Sequence, residues 1–444
     1  MAKSAEEKPL HEVLPPVTFA PMGAPDKQTD QANLLAAKQS PAFPIAGGLV
    51  SHCLTRRGER ILLDFSAQAC NVKFEIDGVW MNVDPYDRAT GDAMLAVLKK
   101  LAHLNPQDRR SKQEGKFGVE WPPGGKFNAT IVSQGVPTGE RVLLKILPKK
   151  SKLETIEQAG MRDKMREQFK AILDGDPGLV VISAPPSGGL TTTWRAAVQT
   201  ADRFVRDFVS IEARNAAEEE IINIGPAFFE PGQGPADVLD RLLLKQPDVF
   251  VVPELIDSNS LNRLVDQANN NQKMIITRVP AKDTAEAIMR LVALKPSLGD
   301  LAKSLRCVLN SRLVRRLCES CKQPYQPAPQ LLQKLGIPAG RVGTFYKEWT
   351  PPPPEQQVDA KGRPIEIQIC QKCQGIGYFG RIGVFELLVP NDQVRQAIEK
   401  QPNLELIRRA AKAGGHRGLQ EEAILLVAQG LTSLTELQRV FSAK

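Results

Sequence analysis

Four of the seven cysteines form two Cys-x-x-Cys pairs, the spacing of a tetrahedral metal site. The pairs are Cys318 with Cys321 and Cys370 with Cys373. Such a turn brings two thiolates about 4 Å apart, and two turns supply the four soft ligands that zinc prefers. Since the protein provides all four ligands, we predict a structural Zn²⁺ rather than a catalytic one. Two alternatives stay open here: four unrelated reduced thiols, or a redox role for one pair.

A second candidate site is a phosphate-binding loop that has lost its cation. A β-rich run, Leu179–Ser183, leads into APPSGGLTTT and then into a helical pattern. A P-loop reads GxxxxGK followed by Ser or Thr; its backbone N–H groups and helix N-terminus hold phosphates, and its Lys bridges the β- and γ-phosphates. Here Ala184 stands at the first Gly and Leu190 at the Lys. The candidate nucleotide-binding residues are Ser187, Gly188, Gly189, Leu190, Thr191 and Thr192.

That segment alone is ambiguous, because Pro- and Gly-rich turns between a strand and a helix are common. Its setting is an alternation of short β-rich runs and helix-length amphipathic segments, which predicts a parallel sheet with crossover helices. The predicted strands are Leu179–Ser183, Phe208–Glu212, Val249–Val252 and Met274–Thr277. The predicted helices lie near Thr192–Asp207, Pro235–Lys245 and Ser258–Asn269.

The length of 444 residues predicts several domains. Composition and periodicity divide the chain into five parts. They are a disordered or tethering arm at 1–46, a small α+β domain at 47–150, a core of alternating strands and helices at 151–304, which the resemblance described below implies to be a RecA-like ATPase-type core, a four-cysteine module with a Pro-rich insertion at 305–388, and a C-terminal helical segment at 389–444.

The bulk composition is that of a globular protein, with 42% hydrophobic and 24% charged residues. No run approaches the roughly 18–20 apolar residues that cross a bilayer, and the N-terminus lacks a signal-peptide core. We therefore expect a cytoplasmic protein that reaches membranes only through partners. The net charge of +8 is spread among acidic residues, so no specific nucleic acid is expected as a partner.

Several motifs together resemble the type II secretion and type IV pilus assembly ATPase family, from about residue 50 to the end. The similar stretches are FEIDGV at 74–79, RRSKQEG at 109–115, KQPDVFVVPELID at 245–257, RLVRRLCESCK at 312–322, CQKCQGIGYFGRIGVFEL at 370–387 and GLTSLTE at 430–436. The resemblance implies a RecA-like core with ATP and Mg²⁺ as ligands. It further implies a homo- or hetero-hexamer that docks on a platform protein, peripheral at the cytoplasmic face of the inner membrane.

The resemblance also assigns roles to two carboxylates. Glu254 matches the Walker B glutamate that orients the attacking water, and Glu212 falls in the family's acidic box. The departures fall on the same chemistry. Leu190 replaces the Lys, Pro253 replaces the Walker B Gly, and NQKMIITRV at 271–279 contains no histidine where the family has a His box.

We expect hydrolysis to be very slow or absent, because phosphoryl transfer depends on positioned charge. Arg195, Arg278 or a partner subunit would have to replace the missing cation. The leading hypothesis is therefore a non-hydrolysing member of the machinery. The alternatives are an active motor with a substitute cation and a zinc-stabilised nucleic-acid-binding protein, and the latter fits poorly with an aromatic content of 5%.

Overall fold

The computed structural model describes residues 9–149, 153–338, 340–353, 365 and 367–442. The chain divides into two compact units, Met1–Ser151 and Lys152–Lys444. None of the described helices combines the length and the apolar character needed to span a membrane.

The first unit is an antiparallel sheet with helices. Its helices are α1 (Leu10–Val13), α2 (Lys27–Lys38), α3 (Phe43–Thr55) and α4 (Arg88–Leu101). Its strands are β1 (Thr18–Pro21), β2 (Gly58–Phe65), β3 (Ala69–Ile76), β4 (Val79–Asp87), β5 (Gln113–Trp121), β6 (Gly125–Val136) and β7 (Gly139–Pro148). The seven strands run in the order β1-β5-β6-β7-β2-β3-β4. Every neighbouring pair is antiparallel.

The disordered or tethering arm predicted for residues 1–46 does not hold for the described residues from Leu10 onward. Strand β1 pairs with β5, and helices α2 and α3 follow it. The physical reason is the burial of Phe19, which is 3% exposed. Its ring makes edge-to-face contacts with Phe43 at 5.6 Å and Phe117 at 5.8 Å between centroids. Residues 1–8 lie outside the described part of the chain.

The second unit contains the predicted core. Its helices are α5 (Asp163–Asp174), α6 (Leu190–Thr200), α7 (Pro235–Leu243), α8 (Ser258–Asn270), α9 (Thr284–Val292), α10 (Leu298–Ser304), α11 (Pro329–Lys334), α12 (Asp392–Lys400), α13 (Leu404–Ala413), α14 (Leu419–Ala428) and α15 (Leu434–Ser442). Its strands are β8 (Gly178–Ala184), β9 (Phe208–Ala213), β10 (Ile224–Phe229), β11 (Val249–Val252), β12 (Met274–Pro280), β13 (Leu305–Leu317), β14 (Gln323–Tyr325), β15 (Phe345–Lys347) and β16 (Tyr378–Leu388).

The predicted parallel sheet with crossover helices is confirmed. Seven strands run in the order β10-β9-β11-β12-β8-β13-β16, and all neighbours are parallel except β13 and β16. All seven residues of β8 are buried, as expected for a strand covered on both faces. Two apolar clusters, one including Leu179 and Val181 and the other Val180 and Ile182, lie on opposite faces of β8.

The boundary predicted after residue 304 does not coincide with a break in the fold. Strand β13 continues the core sheet beside β8, and β16 pairs with β13 in antiparallel register. The two long strands of the predicted module, β13 and β16, therefore belong to the core sheet, and β14 and β15 form a separate two-stranded sheet. Of the predicted Pro-rich insertion, residues 354–364 lie outside the described residues. The final segment is helical, with α12 to α15 in the described chain.

Candidate functional site

The phosphate-loop candidate lies between β8 and α6, at the carboxyl edge of the parallel sheet. The loop turns through left-handed conformations at Ser187, with φ of 60°, and Gly189, with φ of 86°. A Cβ at Gly189 would also lie 3.2 Å from Leu313 Cδ1, so this position favours glycine. The Gly188 N–H donates to Pro185 O at 2.8 Å. Helix α6 begins at Leu190, and helix geometry leaves its first N–H groups without intrahelical partners.

The side chain at the lysine position is used for packing. Leu190 is half-buried and packs against the apolar cluster that contains Ile182, Trp194 and Leu309. An ammonium group here would have to leave that surface to reach a ligand. The first turn of α6 therefore presents backbone donors without the side-chain cation of a P-loop.

The three threonines of α6 have different surroundings. Thr191 is exposed in the first turn, and Thr192 is half-buried. Thr193 is buried, and its hydroxyl lies 2.9 Å from Ser311 Oγ in β13. Only the hydroxyl of Thr191 among these three is thus fully open to a metal ion or ligand.

The two carboxylates predicted as catalytic lie at the same sheet edge. Glu212 is near the end of β9 and Glu254 follows β11, and parallel strands end at a common edge with β8. Glu212 is 7% exposed; it accepts the hydroxyl of Ser210 and, at 2.9 Å, the N–H of Glu218. Glu254 is exposed. The fold therefore brings the loop and both carboxylates to one edge, with Glu212 already engaged by its own chain.

The two arginines considered as substitute cations are both paired. Arg278 of β12 donates to Glu218 at 3.1 and 2.6 Å and stacks over the Trp194 ring at 5.5 Å. Arg195 of α6 forms an ion pair with Glu219. Sequence reasoning missed these two acidic partners. The signal was present as three consecutive glutamates, Glu218–Glu220, placed shortly after β9.

The four predicted metal ligands come together. Their sulfur atoms all lie within 4.8 Å of one another. Cys318 Sγ is 3.8 Å from Cys370 Sγ, and Cys321 Sγ is 3.6 Å from Cys373 Sγ. The N–H of Gly377 donates to Cys373 Sγ at 3.3 Å. One pair follows β13 and the other precedes β16, so the antiparallel pairing of these strands assembles the cluster.

Backbone donors favour a thiolate at one of the four cysteines, Cys370. The N–H groups of Cys373 and Lys372 lower the pKa of Cys370 to about 7. Burial raises the pKa of Cys318 and that of Cys321, with the neighbouring sulfur atoms adding to the rise. Four thiols held this closely fit a soft, positively charged ion better than four separate reduced groups.

A buried carboxylate ties β13 to α15 beside the cluster. Glu436 accepts the N–H of Arg315 at 3.0 Å and its guanidinium at 2.8 Å, and Arg439 donates to it at 2.8 and 2.6 Å. Burial opposes ionisation of Glu436, yet the two arginines hold its pKa below the ordinary value. This contact joins the stretch GLTSLTE at 430–436, in the C-terminal helical segment, to β13.

Residues 36–439 match the model of a protein family that is described as "Type II/IV secretion system protein". The chain belongs to this family. With the type IV pilus assembly ATPase PilB of Thermus thermophilus it is 27% identical over 372 residues, which is 82% of this chain and 39% of that protein. With the type II secretion system protein E of Dickeya dadantii it is 27% identical over 409 residues, 90% of this chain and 76% of that protein.

A protein transport protein HofB homolog of Escherichia coli is 26% identical over 405 residues, 91% of this chain and 82% of that protein. Among solved structures, the Legionella pneumophila ATPase DotB is similar with a TM-score of 0.55 at 12% identity. The similarity covers 89% of this chain and 94% of DotB, and it supports the fold alone.

Proposed function

We propose that this member of the type II/IV secretion system family acts in type II secretion or type IV pilus biogenesis as a subunit that hydrolyses ATP very slowly or not at all. The observation that carries the proposal is the packing of Leu190 against the apolar core at the position of the P-loop lysine. The relatives named above as assembly ATPases and secretion proteins support the choice of machinery.

Slow ATP hydrolysis is expected because positive charge is missing from the phosphate loop. Removing one preorganised donor from such a site typically costs about 10²–10³-fold in rate. Here the lysine is absent, and Arg195 and Arg278 are paired with glutamates. Backbone N–H groups at the start of α6, in residues 189–192, would still offer weak ATP binding, with the Thr191 hydroxyl directed to Mg²⁺. In that arrangement Glu254 would orient the attacking water, and Glu212 would be the carboxylate of the family's acidic box.

We assign the protein a place in a ring at the cytoplasmic face of the inner membrane. The ring would be a homo- or hetero-hexamer docked on an inner-membrane platform protein. In this role the fold serves as a scaffold or regulator, and an intact ATPase subunit would supply the work. No specific nucleic acid is part of this proposal.

We further propose that the four cysteines hold a structural Zn²⁺. Four Zn–S bonds of about 2.3 Å at tetrahedral angles place sulfur atoms about 3.8 Å apart. The separations of 3.8 Å for Cys318–Cys370 and 3.6 Å for Cys321–Cys373 fit that geometry. With four thiolates bound, the ion supplies stability rather than chemistry, and it would fix the ends of β13 and β16 together.

An active motor is the second candidate, because Glu254 and Thr191 remain accessible at the sheet edge. Turnover of Mg-ATP by the purified protein, alone and with its platform partner, separates the two. A Glu254→Gln variant provides the background rate. The proposal expects wild type and variant to be equal in both conditions. Turnover that depends on Glu254 would establish the motor and refute the proposal.

A further inference from the structure

The segment that follows β9 places its own carboxylates on two cations of the elements beside the degenerate loop. Glu218 binds Arg278 through both guanidinium nitrogens, at 3.1 and 2.6 Å. Glu219 pairs with Arg195, one turn into α6. Arg278 and Glu218 are 21% and 22% exposed, so this pair is shielded from much of the solvent. The geometry is therefore that of a cationic site filled by acidic groups from the same chain.

The segment is anchored at both of its ends. The Glu218 N–H donates to Glu212 Oε2 at 2.9 Å, which ties its start to β9. Toward its end, Ile221 packs against the apolar cluster behind α6, and the Ile222 carbonyl accepts from Arg203 Nε at 3.0 Å. These contacts hold the glutamates against the arginines rather than leaving them free in solvent.

The two arginines lie on the two elements that adjoin the strand-to-helix turn. Arg195 is on α6, whose N-terminus follows the loop, and Arg278 stacks on Trp194 of the same helix. Strand β12 is the direct neighbour of β8, with Arg278 opposite Ile182, two residues before the end of that strand. Both cations thus flank the strand-to-helix turn that would hold an oligophosphate.

We propose that residues 217–222 form an internal acidic plug that occupies the oligophosphate site of this chain. The inference rests on the proposed function, since it takes the loop to be a degenerate nucleotide site. It adds a cause of weak binding that is separate from Leu190. An incoming phosphate must displace Glu218 and Glu219 before it reaches either arginine. Removing one of these carboxylates opens the site, and a partner that draws the segment away would do the same.

The test uses inorganic tripolyphosphate as the probe, with binding to the full chain measured by calorimetry. Glu218→Gln and Glu219→Gln are compared with Glu220→Gln, an exposed neighbour that changes the net charge equally. Each of the first two variants is expected to bind about tenfold tighter than wild type, the affinity equivalent of one charge-assisted hydrogen bond. Glu220→Gln is expected to match wild type.

Two results with the single variants overturn the plug, and a third comes from a double variant. One is unchanged affinity in both Glu218→Gln and Glu219→Gln; the other is an equal gain in Glu220→Gln, which would reflect net charge alone. Adding Arg278→Gln to Glu218→Gln must abolish the gain, and a gain that persists places the anion elsewhere. Should Glu218→Gln fail to fold, Glu219→Gln decides alone, because the Glu219 side chain is 53% exposed.

Failure of the plug and failure of the proposed function give different results. Tripolyphosphate binding requires no turnover, so a plug that fails leaves the proposal of slow or absent hydrolysis untouched. Conversely, ATP turnover that depends on Glu254 would refute the proposed function whatever the glutamate variants bind.

Discussion

The substitution Leu190→Lys tests whether the loop after β8 is a phosphate site that lacks only its cation. Leu190 is half-buried against the core cluster. Full burial of a leucine is worth about 1.5–3 kcal/mol, so its replacement should destabilise by roughly 1 kcal/mol, part of which the aliphatic stem of lysine retains. A loss of that size lowers the melting temperature of a unit this large by about 2–4 °C.

The gain in binding free energy for Mg-ATP should exceed this loss of folding stability. One charge-assisted hydrogen bond contributes about 1.5–3 kcal/mol, equivalent to about 10–150-fold in the dissociation constant for Mg-ATP. Leu190→Met is the matched control, because it keeps size and apolarity without adding charge. Calorimetric titration of both variants gives the comparison. Equal dissociation constants, with both proteins folded, would mean that phosphates do not bind at the start of α6. That result would refute the interpretation of the loop as a degenerate P-loop.

Three further perturbations test other parts of the structure. Cys370→Ser should lower bound zinc from about one ion per chain, measured by atomic emission, whereas the neighbouring exposed Ser320→Ala keeps it; an unchanged zinc content would refute the ligand assignment. Glu436→Gln should destabilise the second unit by about 3 kcal/mol in urea titration. Because the pKa of Glu436 is depressed, its contribution is complete above the ordinary carboxylate pKa of about 4.3 and is lost as the pH falls through the depressed value. Wild type and variant should therefore converge in stability in acid, and a stability difference that does not shrink as the pH falls would contradict this. In the first unit Lys99→Met should cost about 3–5 kcal/mol by stranding Glu140, which is 3% exposed, and adding Glu140→Gln should restore most of it; a double variant as unstable as the single one would show that the pair is not the cause.

The sequence was most informative where burial leaves a simple pattern. Strands β8, β9, β11 and β12 lie in the middle of a parallel sheet, and such strands are nearly continuous apolar runs. Edge strand β10 was missed, because Gly225 and Pro226 lower its strand propensity. The two Cys-x-x-Cys pairs were equally readable, since the spacing within each pair fixes which atoms meet.

Contacts between segments that are distant along the chain could not be predicted from the sequence. The N-terminal residues lack periodicity, yet Phe19 places β1 on the sheet through contacts with Phe43 and Phe117. Likewise, Arg278 and Glu218 are 60 positions apart and meet only because β12 and the segment after β9 end at one sheet edge. The composition of each segment permits these contacts, but only the topology selects them.

The proposed function requires that the chain acts in its machinery without significant ATP hydrolysis of its own. The most direct test is in the cell that encodes it, by comparing a deletion of the chain with a Glu254→Gln replacement and measuring surface pili and secreted protein. Glu254 is exposed, so the substitution should leave the fold intact. The account predicts that the deletion abolishes output and that Glu254→Gln retains it in full. Loss of output in Glu254→Gln, with the protein present at its normal level, would contradict the claim.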